Sequence, residues 1–146
     1  MNTHQFVSES NRIEGILREP AMLELAEFDR FMALDSVTVG ELEKFVKVYQ
    51  RNARLRDRPG LNVIVGNHRP PSGGPEIRER LENLLESLRS KTPHANHVAY
   101  ENLHPFTDGN GRSGRMLWAW QMRVFPLGFL HHFYYQTLAE NQARHE

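Results

Sequence analysis

Residues 104–115 contain most of the side chains of this chain that could carry out chemistry. Histidine as a residue type titrates near neutral pH, which suits His104 to general base work, and Asp108 is the kind of carboxylate that holds Mg²⁺ together with substrate phosphates. Arg112 and Arg115 offer forked donors that match phosphate oxygens. The glycines between them let backbone N–H groups approach an anion closely. The segment therefore predicts a site that holds a phosphate chain and moves a proton beside it.

The elements on either side of this segment determine how it is positioned. Threonine followed by proline predicts a helix over about 93–103, so His104 lies at its end. Residues 109–111 favour a tight turn, and the next helix is predicted from about Asn110. The turn then lies at a helix N-terminus, where free N–H groups and the helix dipole attract anions. Phe106 is predicted to point inward and anchor the loop. A plain helix–loop–helix connection is the alternative.

Apolar periodicity and capping signals predict helices along most of the chain. One helix is predicted after Pro20, one after the capping-box pair Thr38 and Glu41, and one from Pro75, where apolar residues recur on one helix face. A last helix is predicted over about 127–143. The fold class is therefore mainly α.

One segment departs from the helical pattern. The segment Leu61–Val65 contains a short β-branched run, is bounded by glycines and prolines, and predicts a strand or one short β-hairpin within about 58–70.

Length and composition indicate one domain, 1–146, without disulfide or thiol chemistry. The chain has 146 residues and no cysteine. Its 18 basic and 18 acidic side chains give zero net charge, which argues against broad binding to nucleic acid or to an anionic membrane. We see neither a signal peptide nor an apolar run that could span a membrane. We therefore expect a cytoplasmic protein, in a bacterial-type cytosol, with secretion by a non-classical route as the alternative.

The segment 104–115 fits His-x-Phe-x-(Asp/Glu)-Gly-Asn-Gly-Arg-x-x-Arg at every specified position. This pattern is the signature of Fic (filamentation induced by cAMP) domain proteins, and the chain resembles that family. The run Leu61–Val65 with His68-Arg-Pro-Pro resembles the family's flap, and we call residues 58–70 the flap from here on. The resemblance implies a compact Fic-type helical bundle with a β-hairpin flap.

The resemblance also implies a protein adenylyltransferase. Such an enzyme transfers AMP from ATP, its co-substrate, to a Tyr, Thr or Ser hydroxyl of a target protein and releases pyrophosphate, with Mg²⁺ as cofactor. His104 would deprotonate the hydroxyl, Asp108 would coordinate Mg²⁺, Arg112 would bind the β-phosphate and Arg115 the γ-phosphate. The anion hole would be formed by Gly109, Asn110 and Gly111.

A second motif lies near the N-terminus and runs from Ser10 to Gly15. Taken alone, it predicts a helix start with Ser10 as N-cap and Glu14 in the first turn. Beside the signature, it resembles the (Ser/Thr)-x-x-x-Glu-(Gly/Asn) motif of self-inhibited Fic proteins, here in an inhibitory helix at about 9–18. The resemblance implies that Glu14 pairs with Arg115 and occupies the place of the γ-phosphate.

The flap offers a candidate docking surface for the target protein. Val63, Ile64 and Val65 could present a strand edge to which an extended segment of the target pairs. A hairpin that only closes the domain is the alternative.

Two functional alternatives stay open at this point. Some relatives keep the site but transfer phosphate, UMP or phosphocholine, or remove AMP from targets. A non-catalytic ATP-binding regulatory module is the other alternative. The intact turn 109–111 favours AMP transfer, and the presence of His104 argues against a sensor, which needs no base.

The remaining histidines and arginines are predicted to be structural or solvated. No cysteine or carboxylate stands at zinc-site spacing beside the histidine pairs His94/His97 and His131/His132. A local basic cluster is expected on a solvated turn. It comprises Arg51, Arg54, Arg56 and Arg58.

The last two predicted helices are rich in aromatic residues. Core packing is the default for such side chains, and any exposed remainder would suggest a homo-oligomer face. They are Trp118, Trp120, Phe125, Phe129, Phe133, Tyr134 and Tyr135.

Overall fold

Six helices dominate residues 2–123, the part of the chain that the structure, a computed structural model, describes. They are α1 (Thr3–Ile13), α2 (Met22–Met32), α3 (Val39–Tyr49), α4 (Pro75–Glu86), α5 (Pro93–Leu103) and α6 (Asn110–Met122). In this part, no helix has the length and apolar character that a bilayer crossing requires. The predicted last helix at 127–143 lies outside the described residues. So do His131, His132, Phe125, Phe129, Phe133, Tyr134 and Tyr135.

Side-chain caps and prolines begin the helices where the sequence predicts them. The Thr38 hydroxyl accepts a hydrogen bond from the Glu41 N–H at 3.2 Å, and the Thr92 hydroxyl accepts one from the Ala95 N–H at 3.1 Å. Pro75 is the first residue of α4, where its missing N–H costs no helical hydrogen bond. The predicted starts of α3, α4 and α5 are confirmed.

The prediction for α1 is wrong in its bounds. The inhibitory helix was expected at about 9–18, with Ser10 as its N-cap, but it begins after Asn2. The Asn2 side chain accepts from the Gln5 N–H at 2.8 Å, and the Gln5 side chain accepts from the Asn2 N–H at 2.9 Å. This reciprocal capping box starts α1 at Thr3, the residue after Asn2. Ser10 therefore lies in the second half of the helix, where it is buried.

Glycine determines where α1 ends. Gly15 has a left-handed φ of 77°, and its N–H donates to the Arg12 carbonyl at 2.9 Å, while the Ile16 N–H donates to the Asn11 carbonyl at 3.0 Å. These two bonds form a Schellman motif, which terminates a helix at a glycine. Glu14 is therefore the C-cap residue, one position beyond the helix.

Helix α6 is central to the bundle and packs against α1, α2, α3 and α5. Most of its positions are buried, which explains its weak apolar periodicity. At Gly114 a Cβ would lie 3.1 Å from the Tyr100 ring, so the missing side chain lets α6 approach α5 closely. The Tyr100 and Ser113 hydroxyl oxygens are 2.7 Å apart across the same contact.

Aromatic contacts join the first three helices. The Phe6 and Phe28 ring centroids are 5.0 Å apart, and the Phe45 and Tyr49 rings stack at 4.3 Å. Phe31 meets Phe45 edge-on at 5.6 Å. Such pairs stabilise a core beyond the area that they bury, so α1, α2 and α3 share one apolar interior.

The predicted strand at Leu61–Val65 is absent from the described structure, which contains two isolated bridges instead. Within the flap, Val65 and His68 exchange backbone hydrogen bonds of 3.0 and 2.9 Å around a turn that contains Gly66 at a φ of 59°. A strand needs a partner along its length, and no other pairing extends this turn. The Leu61 carbonyl is bound by an arginine side chain, so the hairpin is reduced to its tip.

Leu81 of α4 tests the packing of this bundle. Its side chain is fully buried, whereas Leu23 of α2 is 75% exposed. We expect Leu81→Ala to lower the free energy of unfolding by about 2–5 kcal/mol, because it leaves a cavity. Leu23→Ala is the control and should change it by less than about 0.5 kcal/mol. Urea unfolding followed by circular dichroism measures both, and equal midpoints would contradict the placement of α4.

Candidate active site

The loop between α5 and α6 is closed by one asparagine. The Phe106 N–H donates to Asn110 Oδ1 at 2.9 Å, and Asn110 Nδ2 donates to the Phe106 carbonyl at 2.7 Å. Phe106 itself is 1% exposed, so its ring anchors the loop in the core as predicted. The Asn110 amide is committed to this closure. Any contribution of Asn110 to an anion hole therefore comes from its backbone N–H.

A short extended segment, residues 54–56, runs antiparallel to this loop. Leu55 forms a bridge with Phe106. The Arg56 N–H donates to the Pro105 carbonyl, and the Thr107 N–H donates to the Arg54 carbonyl, both at 2.9 Å. The loop that carries the predicted base is thus held by backbone pairing as well as by its own side chains.

His104 lies at the end of α5 in an unusual backbone conformation. It is the C-cap residue, with φ 49° and ψ 63°, and its N–H donates to the Tyr100 carbonyl at 2.9 Å. A non-glycine residue in this left-handed region costs about 1–3 kcal/mol and persists only where its surroundings hold it. The side chain is half-buried. The predicted base therefore leaves the helix end in a constrained direction.

The turn after His104 places a helix N-terminus beside the predicted metal ligand. Gly109 is the N-cap of α6 with a φ of 77°, and a Cβ there would be 3.3 Å from Val46. The Gly109 N–H donates to Asp108 Oδ1 at 2.8 Å. The next N–H groups belong to the first turn of α6, which has no intrahelical acceptors for them. This is the arrangement that attracts anions.

An anionic side chain already lies at this helix end. Glu14 Oε1 accepts from Arg115 Nη2 at 2.8 Å, and it lies so close to Gly111 that a Cβ there would clash with it. Arg115 is 3% exposed and also donates to the Ser10 hydroxyl at 2.9 Å and to the Ser10 carbonyl at 3.0 Å. The ion pair expected between Glu14 and Arg115 is therefore present. The 105-residue separation of Ser10 and Arg115 is closed by the packing of α1 on α6.

Arg112 is buried without a full set of partners. It is 4% exposed, its Nη2 donates to Gln50 Oε1 at 3.1 Å, and its Nη1 lies 4.0 Å from a Glu24 carboxylate oxygen. Its Cζ is 5.6 Å from the Tyr49 ring centroid. Among the described residues, its Nε and Nη1 have no hydrogen-bond partner. Burial lowers the pKa of this guanidinium, as expected for a charge with incomplete compensation.

Gln50 joins Arg112 to Asp108 and was missed by sequence reasoning. Its Nε2 donates to Asp108 Oδ2 at 2.8 Å, and its Oε1 accepts from Arg112. It is the C-cap residue of α3. A glutamine at a helix end carries no sequence signal, because both of its partners are about sixty positions away in the chain.

Asp108 fits a magnesium ligand on the chemistry of its donors. The carboxylate is exposed, and each of its oxygens accepts one hydrogen bond, which leaves lone pairs available. Residues 2–123 contain no group of three acidic, histidine or cysteine side chains that could enclose a metal. A single carboxylate is what Mg²⁺ needs when substrate phosphates complete its shell.

Burial and ring contacts show which residues of the basic cluster and of the pair His94/His97 are structural and which are exposed. The expectation of a solvated turn is wrong for Arg56, which is fully buried, whereas Arg51, Arg54 and Arg58 are exposed. The rings of the pair His94 and His97 lie 6.1 and 5.0 Å from Trp118. This pair has a packing role. Trp120 is also buried.

The flap and two helices border a cavity. Ile64 is 62% exposed, and Val63 and Val65 are half-buried, so the three do not form the expected strand edge. His68 contacts the Asn102 carbonyl through Nε2 at 2.9 Å, which joins the flap to α5. A cavity of about 710 Å³ is lined by residues of the flap, α4 and α5. Docking of a target at Val63, Ile64 and Val65 stays a prediction.

Comparison with known proteins places this arrangement in a family. A model of the Fic/DOC family matches residues 21–122, the range that runs from α2 to the end of α6. The chain belongs to the Fic/DOC family. The matched range includes the whole loop 104–115, and it leaves out Ser10, Glu14 and Gly15. The fold is the mainly helical one that the resemblance implied.

Curated relatives match shorter stretches of the chain. Proteins named protein adenylyltransferase Fic are 41% identical over 63 residues in Drosophila persimilis and 38% identical over 99 residues in Nematostella vectensis. These matches cover 38% and 57% of this chain, but only 12% and 22% of the relatives. The chain thus spans less than a quarter of their length. No solved structure gives a significant match.

Glu24 links the α1–α2 connection to the site. Its carboxylate is 2% exposed and accepts from Arg18 Nη1 and the Ala21 N–H, both at 2.8 Å, and from Asn11 at 3.4 Å. Burial by itself would raise the pKa of Glu24, but the hydrogen bonds and the charge of Arg18 outweigh burial and hold it below 4.5. The carboxylate is therefore ionised beside Arg112 at neutral pH.

The shifted pKa of Glu24 predicts a pH-dependent stability. A carboxyl whose pKa is lower in the folded chain stabilises the fold above its unfolded pKa, and the contribution is lost as the pH falls through the folded pKa. We expect Glu24→Gln to lower the free energy of unfolding at pH 7 by about 1–3 kcal/mol. The difference from the parent should shrink below pH 4.5. Urea unfolding across pH tests this, with the exposed Glu19→Gln as control. A constant difference would contradict it.

Proposed function

We propose that this protein is an adenylyltransferase that transfers AMP from ATP to a Tyr, Thr or Ser hydroxyl of a target protein. The target oxygen would form a bond to the α-phosphorus while the bond from that phosphorus to the α–β bridging oxygen breaks. Pyrophosphate leaves, and the hydroxyl proton passes to His104. Transfers of this type need positioning and charge stabilisation more than covalent help from the protein.

The observation that carries the proposal is the Glu14 carboxylate at the N-terminal turn of α6. It lies against Gly111 and pairs with Arg115, so this corner of the protein already accommodates an anion. A glycine without a Cβ is what allows a charged oxygen to approach so closely. A terminal phosphate of ATP would have the same charge sign and similar acceptor geometry.

Arg112 supports the binding of a second phosphate. Two of its donors lack hydrogen-bond partners although the side chain is buried, and such an arrangement is costly until an acceptor arrives. Following the resemblance to Fic proteins, we assign the β-phosphate to Arg112 and the γ-phosphate to Arg115. The first-turn N–H groups at 109–111 add neutral donors.

His104 and Asp108 would complete the reacting end of the site. Asp108 would hold Mg²⁺, which would neutralise phosphate charge. Gln50 orients the Asp108 carboxylate and Arg112 together. His104 is the proposed base on the same loop, and its constrained backbone favours a fixed imidazole direction. The similarity to relatives named protein adenylyltransferase Fic supports this activity.

We further propose that Glu14 inhibits the enzyme. Its carboxylate would hold Arg115 and exclude the γ-phosphate, so that ATP binds in a pose unsuited to in-line attack. The Glu14 side chain is 35% exposed, whereas Arg115 is 3% exposed. A partially exposed ion pair is a modest barrier that a partner or target can displace.

The flap is the proposed docking region for the target protein. Ile64 is exposed at its tip, and the Val65–His68 pairing orients that tip. An extended target segment that contacts Val63, Ile64 and Val65 would bring its hydroxyl towards the His104 end of α5.

Replacement of the proposed base tests the activity. In a Glu14→Gly background, we expect His104→Ala to reduce labelling of lysate proteins by at least about a hundredfold, because general base catalysis contributes that much. The assay uses labelled ATP and Mg²⁺, and calorimetry should find ATP affinity nearly unchanged. His94→Ala, an exposed histidine on α5, is the control.

Labelling that survives in His104→Ala would remove the base assignment. ATP binding without labelling in the Glu14→Gly parent would favour a regulatory module. Labelling from UTP or CDP-choline in place of ATP would favour another donor.

Replacement of Glu14 tests the inhibition. We expect Glu14→Gly to raise labelling from ATP by about tenfold or more, which corresponds to at least about 1.4 kcal/mol of released binding energy. Glu19→Gly removes an exposed glutamate outside the site and should leave labelling at the parent level. Equal labelling by the parent and Glu14→Gly would count against an inhibitory role.

A further inference from the structure

Arg56 is a fully buried guanidinium that donates to four carbonyl oxygens. Its exposed fraction is 0%, and burial lowers its pKa. The acceptors are the carbonyls of Leu103, His104, Leu61 and Pro71, at 2.7 to 3.1 Å. All four are neutral backbone groups. A side chain that uses its whole donor fork in this way fixes the relative positions of the segments that it joins.

Two of these acceptors lie at the end of α5. Arg56 Nε donates to the His104 carbonyl at 2.7 Å, and Nη2 donates to the Leu103 carbonyl at 2.9 Å. The last carbonyls of a helix have no intrahelical donor, and the negative end of the helix dipole favours a cation there. Arg56 thus binds the residue that takes the left-handed conformation and carries the proposed base.

Of the other two acceptors, one lies near the start of the flap and one belongs to the residue that follows it. Nη1 donates to the Leu61 carbonyl at 3.1 Å and to the Pro71 carbonyl at 2.8 Å. The Arg56 carbonyl accepts from the Gly74 N–H at 2.9 Å, next to the first residue of α4. One side chain therefore joins Leu61 of the flap and Pro71, the residue after the flap, to the backbone of His104.

We infer that Arg56 is a positioning residue that sets the distance between the flap and the His104 imidazole. The inference rests on the proposed function, in which the flap presents the target hydroxyl and His104 removes its proton. If Arg56 were shortened, the two elements would shift relative to each other while Arg112 and Arg115 kept their own partners. The rate of AMP transfer would then decrease, whereas the affinity for ATP would not change.

Lysine is the appropriate replacement because it retains the charge but not the planar fork. An ammonium group is a point donor and cannot reach acceptors on both sides. In the Glu14→Gly background, we expect Arg56→Lys to lower kcat for labelling by about a hundredfold, the effect of a misplacement of about 1 Å. The Kd for ATP should stay within about threefold. Arg51→Lys, the same change at an exposed position, is the control and should match the parent.

A kcat within about threefold of the parent would overturn the inference. So would a parallel loss of kcat and ATP affinity, which a general structural defect would produce. If Arg56→Lys does not fold by circular dichroism, Arg56→Gln is measured in its place, since it keeps two donors without the charge. Failure of both variants to fold would make Arg56 a residue of the fold and would also overturn the inference.

Amide hydrogen exchange gives a readout that does not require labelling. We expect Arg56→Lys to increase exchange at Val65 and His68 of the flap and at His104, but not in α1. If the Glu14→Gly parent transfers no label from ATP but Arg56→Lys shows this exchange pattern, the proposed activity is rejected, whereas the coupling of the flap to His104 through Arg56 is supported. Faster exchange at only one of the two places would reject the coupling.

Discussion

Within residues 2–123, three arginine side chains are buried, Arg56, Arg112 and Arg115, and each buried guanidinium needs acceptors. Their partners determine the construction of the site. Arg115 brings the end of α1 onto α6, Arg112 brings the ends of α3 and α2 towards the same helix, and Arg56 joins α5 to the flap. The requirement to compensate buried charge therefore acts as the constraint that assembles elements distant in the chain.

The buried charge of Arg115 has two kinds of acceptor, one that can move away and two that belong to α1. Glu14 supplies a charged acceptor from a partly exposed position, whereas the Ser10 hydroxyl and carbonyl supply neutral acceptors from within α1. When the carboxylate leaves, the guanidinium keeps two acceptors and its orientation. In the proposed inhibition, release of Glu14 and unfolding are thus separable, because removal of the carboxylate need not leave an uncompensated buried cation.

Helix bounds were predictable where a local residue signal begins the helix, such as the N-cap Thr38 or the first-turn Pro75. The same local reasoning failed at α1, because Ser10 resembles a cap while the reciprocal pair at Asn2 begins the helix earlier. The candidate residues of the loop 104–115 could be recognised from the sequence, because the signature specifies their residue types and spacing. Arg56 is different, because its importance comes from four carbonyls that only the folded chain brings together.

The range matched by the family includes Arg115 but not Glu14, the residue proposed to inhibit it. Residues 21–122 include the loop, the flap and every partner of Arg56, so the proposed reacting geometry is built within the shared domain. Glu14 comes from outside that range and reaches Arg115 through the packing of α1 on α2 and α6. Because a Schellman motif ends α1 next to Glu14, the carboxylate is held by a helix end and not by a flexible tail. Displacement of Glu14 therefore requires only local movement at this helix end, while the buried contacts of Phe6 with Phe28 keep α1 on the domain.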